Sequence, residues 1–107
     1  MKIAQTTLDQ LSGVVRSDVD AALRVLAEWP SILRVWLFGS VAKGRRLDFR
    51  SDIDFAVEGL PATAHCRALA QLDGVVSLPA DLVRWEEAGE VLRSQISEWG
   101  ILVYERT

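Results

Sequence analysis

Residues 37–44 have the sequence Leu-Phe-Gly-Ser-Val-Ala-Lys-Gly, and residues 52–54 follow after a gap of seven as Asp-Ile-Asp. The apolar run 33–38 predicts a short buried strand that ends at Gly39. Glycine allows a ligand to approach the backbone, and a helix beginning at 41–43 would offer free N–H groups to a phosphate. The Ser40 hydroxyl adds a donor, and Lys43 is near enough in sequence to help neutralise a triphosphate. By itself, a strand followed by Gly-Ser more often indicates only a turn.

The Asp-Ile-Asp motif predicts a pair of carboxylates on one face of a second strand, over residues 52–57. Strand side chains alternate, so Asp52 and Asp54 lie on the same side, about 7 Å apart, while Ile53 and Phe55 face the core. Two such carboxylates repel each other unless a cation lies between them. Mg²⁺ commonly takes one or two carboxylates together with substrate phosphates. An isolated pair of this kind would instead favour a solvated strand face.

In combination, the segments Leu-Phe-Gly-Ser, Ala-Lys-Gly and Ser-Asp-Ile-Asp-Phe-Ala-Val resemble the signature of the polymerase-β-like nucleotidyltransferase superfamily, and especially its minimal nucleotidyltransferase (MNT) branch. The resemblance extends over essentially the whole chain. It implies an α/β (α+β) nucleotidyltransferase fold, with a short mixed sheet packed by helices. The family usually has a third carboxylate on a following strand, and the matching residue is Asp81. Taken alone, Asp81 would be a surface residue at the start of a strand.

The resemblance also implies a reaction and a partner. Asp52, Asp54 and Asp81 would be the catalytic residues and the Mg²⁺ ligands, whereas Gly39, Ser40 and Lys43 would bind the nucleoside triphosphate, expected to be ATP. Members of the MNT branch are typically encoded beside a HEPN toxin with RNase activity, and the MNT protein is the antitoxin. Such an antitoxin can transfer AMP to a tyrosine of the toxin.

Two other functions stay open at this stage. The chain could neutralise a toxin by binding alone, or it could transfer a nucleotide to a small molecule. The basic segment 45–50 could contact the triphosphate or the acceptor, or it could be a solvated loop. His65 and Cys66 are adjacent in a predicted helix and point in different directions, so a zinc site is not expected. Cys66 is expected to be a buried small residue and not a nucleophile. Core or half-buried packing is the expectation for each of the four tryptophans, with Trp36 in the core.

Composition sets the remaining expectations. The 107 residues suffice for a single domain over 1–107. The net charge of -3 and the absence of a long basic stretch speak against nucleic-acid binding. No apolar run approaches the roughly 20 residues of a membrane span. The polar start lacks a signal-peptide core, and the single cysteine excludes an intrachain disulfide, so we expect a cytoplasmic protein.

The remaining patterns predict the order of helices and strands. A helix is expected over 7–28, and its pattern also allows a break near Ser17, with Ser17 or Asp18 as N-cap. Pro61 suits the first position of a helix over 61–72, which Gly74 would cap. The other predicted elements are a strand over 81–85, a helix over 86–99 that ends at Gly100, and a strand over 101–104.

Overall fold

The computed structural model describes residues 13–39 and 52–106. Three helices and four strands occur in this part of the chain. They are α1 (Gly13–Leu26), β1 (Arg34–Phe38), β2 (Ile53–Glu58), α2 (His65–Asp73), β3 (Ala80–Arg84), α3 (Glu90–Trp99) and β4 (Ile101–Glu105). A 3-10 turn precedes α2 at Ala62–Ala64, and another follows β3 at Trp85–Glu87.

The four strands form one mixed sheet in the order β3-β2-β1-β4. The inner strand β1 is antiparallel to both of its neighbours, β2 and β4, while β2 and β3 are parallel. A parallel pair needs a crossover connection, and α2 supplies it between β2 and β3. The α/β (α+β) fold with a short mixed sheet is therefore confirmed.

One side of the sheet, the core face, carries Val35 and Leu37 of β1 opposite Val57 and Phe55 of β2. All four side chains are fully buried. They form one cluster with apolar residues of α1 and α2, namely Val15, Val19, Ala22, Leu26, Ala68 and Leu72. The spacing of these helical residues gives each helix a single apolar stripe, so the helices pack on the core face.

The opposite side, the second face, carries Trp36, Phe38, Asp54, Ala56 and Asp81, because strand side chains alternate. Trp36 is half-buried and stacks on Trp85, with ring centroids 4.8 Å apart. The prediction that Trp36 lies in the core was therefore wrong. Its neighbours Val35 and Leu37 take the core positions, and Trp36 points to the other side.

Several local predictions were corrected. Helix α1 runs through Ser17 without a break, and Asp18 is a buried mid-helix residue instead of an N-cap. Pro61 lies one residue before the 3-10 turn, with an extended backbone. The predicted helix 86–99 is divided, because Gly89 is extended and α3 begins only at Glu90. The predicted helix start at 41–43 lies outside the described residues.

Other predictions were confirmed. The strand bounds agree with the predicted ones to within a residue, and Gly74 and Gly100 cap the ends of α2 and α3. Among the helices of residues 13–39 and 52–106, none is long and apolar enough to cross a membrane.

Candidate active site

The end of β1 brings a glycine against a carboxylate. Gly39 follows Phe38, the residue paired with Asp54 of β2, and has a φ of 81°. A Cβ at this position would overlap Oδ2 of Asp54. Glycine is thus required here both for the left-handed backbone and for the close approach of the Asp54 side chain.

A second carboxylate lies beside Asp54 on the neighbouring strand. Asp81 of β3 is the direct register partner of Asp54. Neighbouring strands are about 4.8 Å apart, so the two side chains emerge next to each other on the second face. Asp52 is exposed and comes just before the first residue of β2. The structure therefore brings together Gly39, Asp52, Asp54 and Asp81.

The electrostatics of this cluster act chiefly on Asp54. Its pKa is raised above the ordinary aspartate value, first because the half-buried carboxylate loses solvation, and then because Asp81 and Asp52 repel its charge. Asp81 is exposed, and its Oδ1 accepts a hydrogen bond from the Leu82 N–H at 3.0 Å. The site therefore concentrates negative charge around a partly desolvated carboxylate.

This donor set fits Mg²⁺ in chemical terms. Carboxylate oxygens are the ligands that Mg²⁺ prefers, and a divalent cation would relieve the repulsion that raises the Asp54 pKa. Within residues 13–39 and 52–106, however, no three acidic, histidine or cysteine side chains converge into a preformed metal cluster. Asp54 and Asp81 lie side by side on the second face, and Asp52 comes just before β2.

Ser40, Lys43 and the basic segment 45–50 lie outside the described residues. His65 has a structural role, because its Nε2 donates to the Leu82 carbonyl on the outer edge of β3 at 2.5 Å. Cys66 is exposed on α2, whereas a buried position was expected.

An open groove of about 530 Å³ runs along α3, away from the carboxylates. Its lining includes Trp85, Arg93, Ser94 and Ser97. The Arg93 guanidinium lies 5.1 Å from the Trp85 ring centroid and also donates to the Trp85 carbonyl, so its fixed position has a structural explanation. We place the candidate site at the carboxylates because charge, burial and register coincide there.

Sequence reasoning missed the role of Asp18. This carboxylate is only 2% exposed and accepts backbone hydrogen bonds from the segment that leads into β3. The available signal was its position in the apolar stripe of α1, between Val15 and Ala22. An acidic residue at a core position usually has a buried partner.

The mixed sheet has a glycine at the end of β1 and carboxylates on the two strands that follow it in the chain, β2 and β3. This arrangement is typical of a nucleotidyltransferase fold. A family model described as Polymerase beta, Nucleotidyltransferase matches residues 20–107. The chain therefore belongs to the polymerase beta nucleotidyltransferase family. No curated protein matches it in sequence.

Solved structures of similar fold include minimal nucleotidyltransferase antitoxins. A toxin–antitoxin structure with AMP-PNP is 26% identical, with a TM-score of 0.73, over 83% of this chain and 74% of that chain. A protein assigned as a minimal nucleotidyltransferase is 26% identical, with a TM-score of 0.67, over 92% of this chain and 98% of the other. A third structure holds a tri-AMPylated HEPN toxin of Shewanella oneidensis in complex with its MNT antitoxin. It is 24% identical, with a TM-score of 0.68, over 86% of this chain and 73% of that chain.

Proposed function

We propose that this chain is a Mg²⁺-dependent antitoxin that transfers AMP from ATP to a tyrosine hydroxyl of a HEPN toxin in the cytoplasm. The observation that carries the proposal is the register of β2 and β3, which sets Asp54 directly beside Asp81 and against the bare Cα of Gly39. The family membership supports nucleotidyl transfer as the class of reaction.

The roles of the residues follow from their chemistry. Asp52, Asp54 and Asp81 would hold Mg²⁺, which when bound supplies positive charge for the departing pyrophosphate and lowers the pKa of the acceptor hydroxyl. Gly39 leaves room for the Asp54 side chain, and we assign its backbone to phosphate binding. We assign Ser40 and Lys43 to the β- and γ-phosphates, as a hydroxyl donor and a positive charge.

The proposed transfer is a single displacement at the α-phosphorus. The tyrosine oxygen forms a bond to this phosphorus, and the bond from phosphorus to the oxygen that bridges to the β-phosphate breaks. Pyrophosphate leaves with the electron pair of that bond. The tyrosine proton passes to the Asp81 carboxylate, which is exposed on the second face and so can be reached by an acceptor from outside.

The choice of nucleotide and acceptor is supported by the structures of similar fold. One is a toxin–antitoxin pair with AMP-PNP, an ATP analogue, and another contains a HEPN toxin that carries three AMP groups. Both belong to other proteins, so ATP and a HEPN tyrosine remain proposals for this chain.

The test is label transfer from α-³²P-ATP with Mg²⁺, using the purified chain with and without the HEPN protein encoded beside it. We expect the label on a tyrosine of the HEPN protein and release of unlabelled pyrophosphate. Asp54→Asn should reduce the transfer at least 100-fold, since it removes a charged group from the reacting site. Asp73→Asn is the matched control, because Asp73 is an exposed aspartate at the end of α2.

Three outcomes would contradict the proposal or its assignment of the site. Tight binding and neutralisation of the toxin without any label would leave a nucleotidyltransferase fold that acts by binding alone. Label transfer to a small molecule, with none on protein, would make the chain a small-molecule transferase. Equal loss of transfer in Asp54→Asn and Asp73→Asn would sink the assignment of the site.

A further inference from the structure

We propose that Asp18 is a positioning residue that sets the register of β3 and thereby places Asp81 beside Asp54. The catalytic meaning of this inference rests on the function proposed above. Asp18 lies on α1, on the core side of the sheet, and so it would act through the backbone of β3 without touching the substrate.

The first observation is the buried carboxylate itself. Asp18 is 2% exposed, and its two oxygens accept separate backbone hydrogen bonds, Oδ1 from the Ser77 N–H at 2.8 Å and Oδ2 from the Leu78 N–H at 3.0 Å. Burial of a carboxylate costs free energy unless hydrogen bonds offset it, and two N–H donors in this geometry do so.

The second observation is the short path from these bonds to Asp81. Directly after Leu78, the Pro79 carbonyl accepts a hydrogen bond from the Ile53 N–H at 2.8 Å. Ala80 then pairs with Ile53, and Asp81 pairs with Asp54. Asp18 therefore fixes the backbone three residues before Asp81, at the point where β3 joins β2.

The third step concerns the consequence of an error in this register. A shift of one residue turns every side chain of a strand to the other face. It would put Ala80 or Leu82 opposite Asp54 and turn the Asp81 side chain toward the core face. β3 lies at one edge of the described sheet, so β2 is its single strand neighbour there, and the connection before β3 bears on the register.

The variant Asp18→Asn tests the proposal with little change in volume. Its amide oxygen can accept one N–H, but its NH₂ group would face the other, so one bond is replaced by repulsion. We expect kcat for label transfer to fall about tenfold or more while KM for ATP changes less than about threefold, because a small displacement of a reacting group mainly affects the chemical step. In Asp18→Asn, hydrogen exchange should accelerate at the amides of Ser77, Leu78 and Ile53, and stay slow at Leu33, which bonds to Glu58 elsewhere in the fold.

A second destabilised variant serves as the control, because it separates the positioning of β3 from a general loss of stability. Arg106→Ala removes contacts far along the chain from β3, to the carbonyls of Ala27, Trp29 and Ile32. At a temperature where both variants are folded, Arg106→Ala should keep its kcat. Should Asp18→Asn fail to fold, Asp18→Ser takes its place, because its smaller side chain removes the carboxylate without setting an NH₂ group against a backbone N–H.

The proposal is overturned if the Asp18 variant keeps the wild-type kcat, if both variants lose kcat equally, or if exchange at Ile53 is unchanged. Failure of the proposed function has a different signature, since the wild-type chain would then transfer no label. In that case the exchange measurement alone still decides whether Asp18 sets the register of β3.

Discussion

At the residue scale, Asp54 combines three properties that determine how the site responds to pH. It is half-buried, it is paired in register with Asp81, and it follows Asp52 by two residues. These features raise its pKa, so the folded chain holds the Asp54 proton more strongly than the unfolded chain does. Between the ordinary aspartate pKa and the raised one, stability therefore falls as pH rises.

This predicts the behaviour of Asp54→Asn in the absence of metal. The variant removes a charge that the native state disfavours, so its Tm should exceed that of the wild type at neutral pH. The gain should vanish below the ordinary aspartate pKa, where Asp54 is protonated in both states. Thermal unfolding in EDTA at several pH values measures the difference.

Asp73→Asn again supplies the control, since Asp73 is exposed at the end of α2. Its Tm should follow the wild type at every pH. If Asp54→Asn were no more stable than the wild type at neutral pH, the electrostatic crowding of the site would be refuted. Addition of Mg²⁺ should stabilise the wild type and leave Asp54→Asn nearly unchanged.

At the scale of elements, the three adjacent strands β2, β1 and β4 are joined by one cation. Arg34 of β1 is the register partner of both Glu58 and Glu105. Its Nη1 donates to Glu58 at 2.5 Å and its Nε to Glu105 at 2.7 Å. Hydrogen bonding to Glu105, and then to Glu58, raises the pKa of Arg34 above its usual value.

Arg34→Met should therefore lower the Tm at low ionic strength, because it leaves two glutamates flanking an uncharged residue. The loss should shrink in 1 M NaCl, where the Debye length is about 3 Å. Thermal unfolding at both salt concentrations provides the measurement. Arg67→Met, at an exposed position of α2, is the control, and a salt-independent loss at Arg34 would indicate that packing outweighs charge there.

The elements also show where local patterns were sufficient. The bounds of β1 and β2 were predicted to within a residue, because apolar runs and alternation in short strands are local signals. The division of 86–99 was missed. The Trp85–Glu87 turn is held by the stack of Trp85 on Trp36, which lies on a different strand, and by hydrogen bonds from Arg93 to the Trp85 carbonyl. A helical pattern in the sequence shows neither contact.

At the scale of the whole molecule, the end of the described chain is tied to the connection between α1 and β1. The Arg106 backbone N–H donates to the Leu33 carbonyl, and its guanidinium donates to the carbonyls of Ala27, Trp29 and Ile32. The guanidinium also lies 5.8 Å from the Tyr104 ring centroid. The guanidinium therefore holds backbone carbonyls of the connection that follows α1.

Arg106→Ala should destabilise the molecule by about 1 to 3 kcal/mol, as expected for hydrogen bonds from a charged donor. The slope of unfolding free energy against urea should stay unchanged, because the fold itself is retained. Arg67→Ala should lie within about 0.5 kcal/mol of the wild type, since surface changes without such contacts cost little. A cost at Arg106 as small as that of Arg67→Ala would show that these hydrogen bonds contribute no net stability.

The sequence by itself determined the strand order along the chain, the glycine turn after residue 38, and the position of Asp54 on the second strand, with Asp52 just before that strand. These features follow from period-two alternation and from the backbone freedom of glycine, which depend on neighbouring residues. The pairing of Asp81 with Asp54, the buried role of Asp18 and the position of Trp36 outside the core required the tertiary structure. Each depends on which strands lie side by side and which face a helix covers. These arrangements are decided by contacts between residues up to about 60 positions apart in the chain.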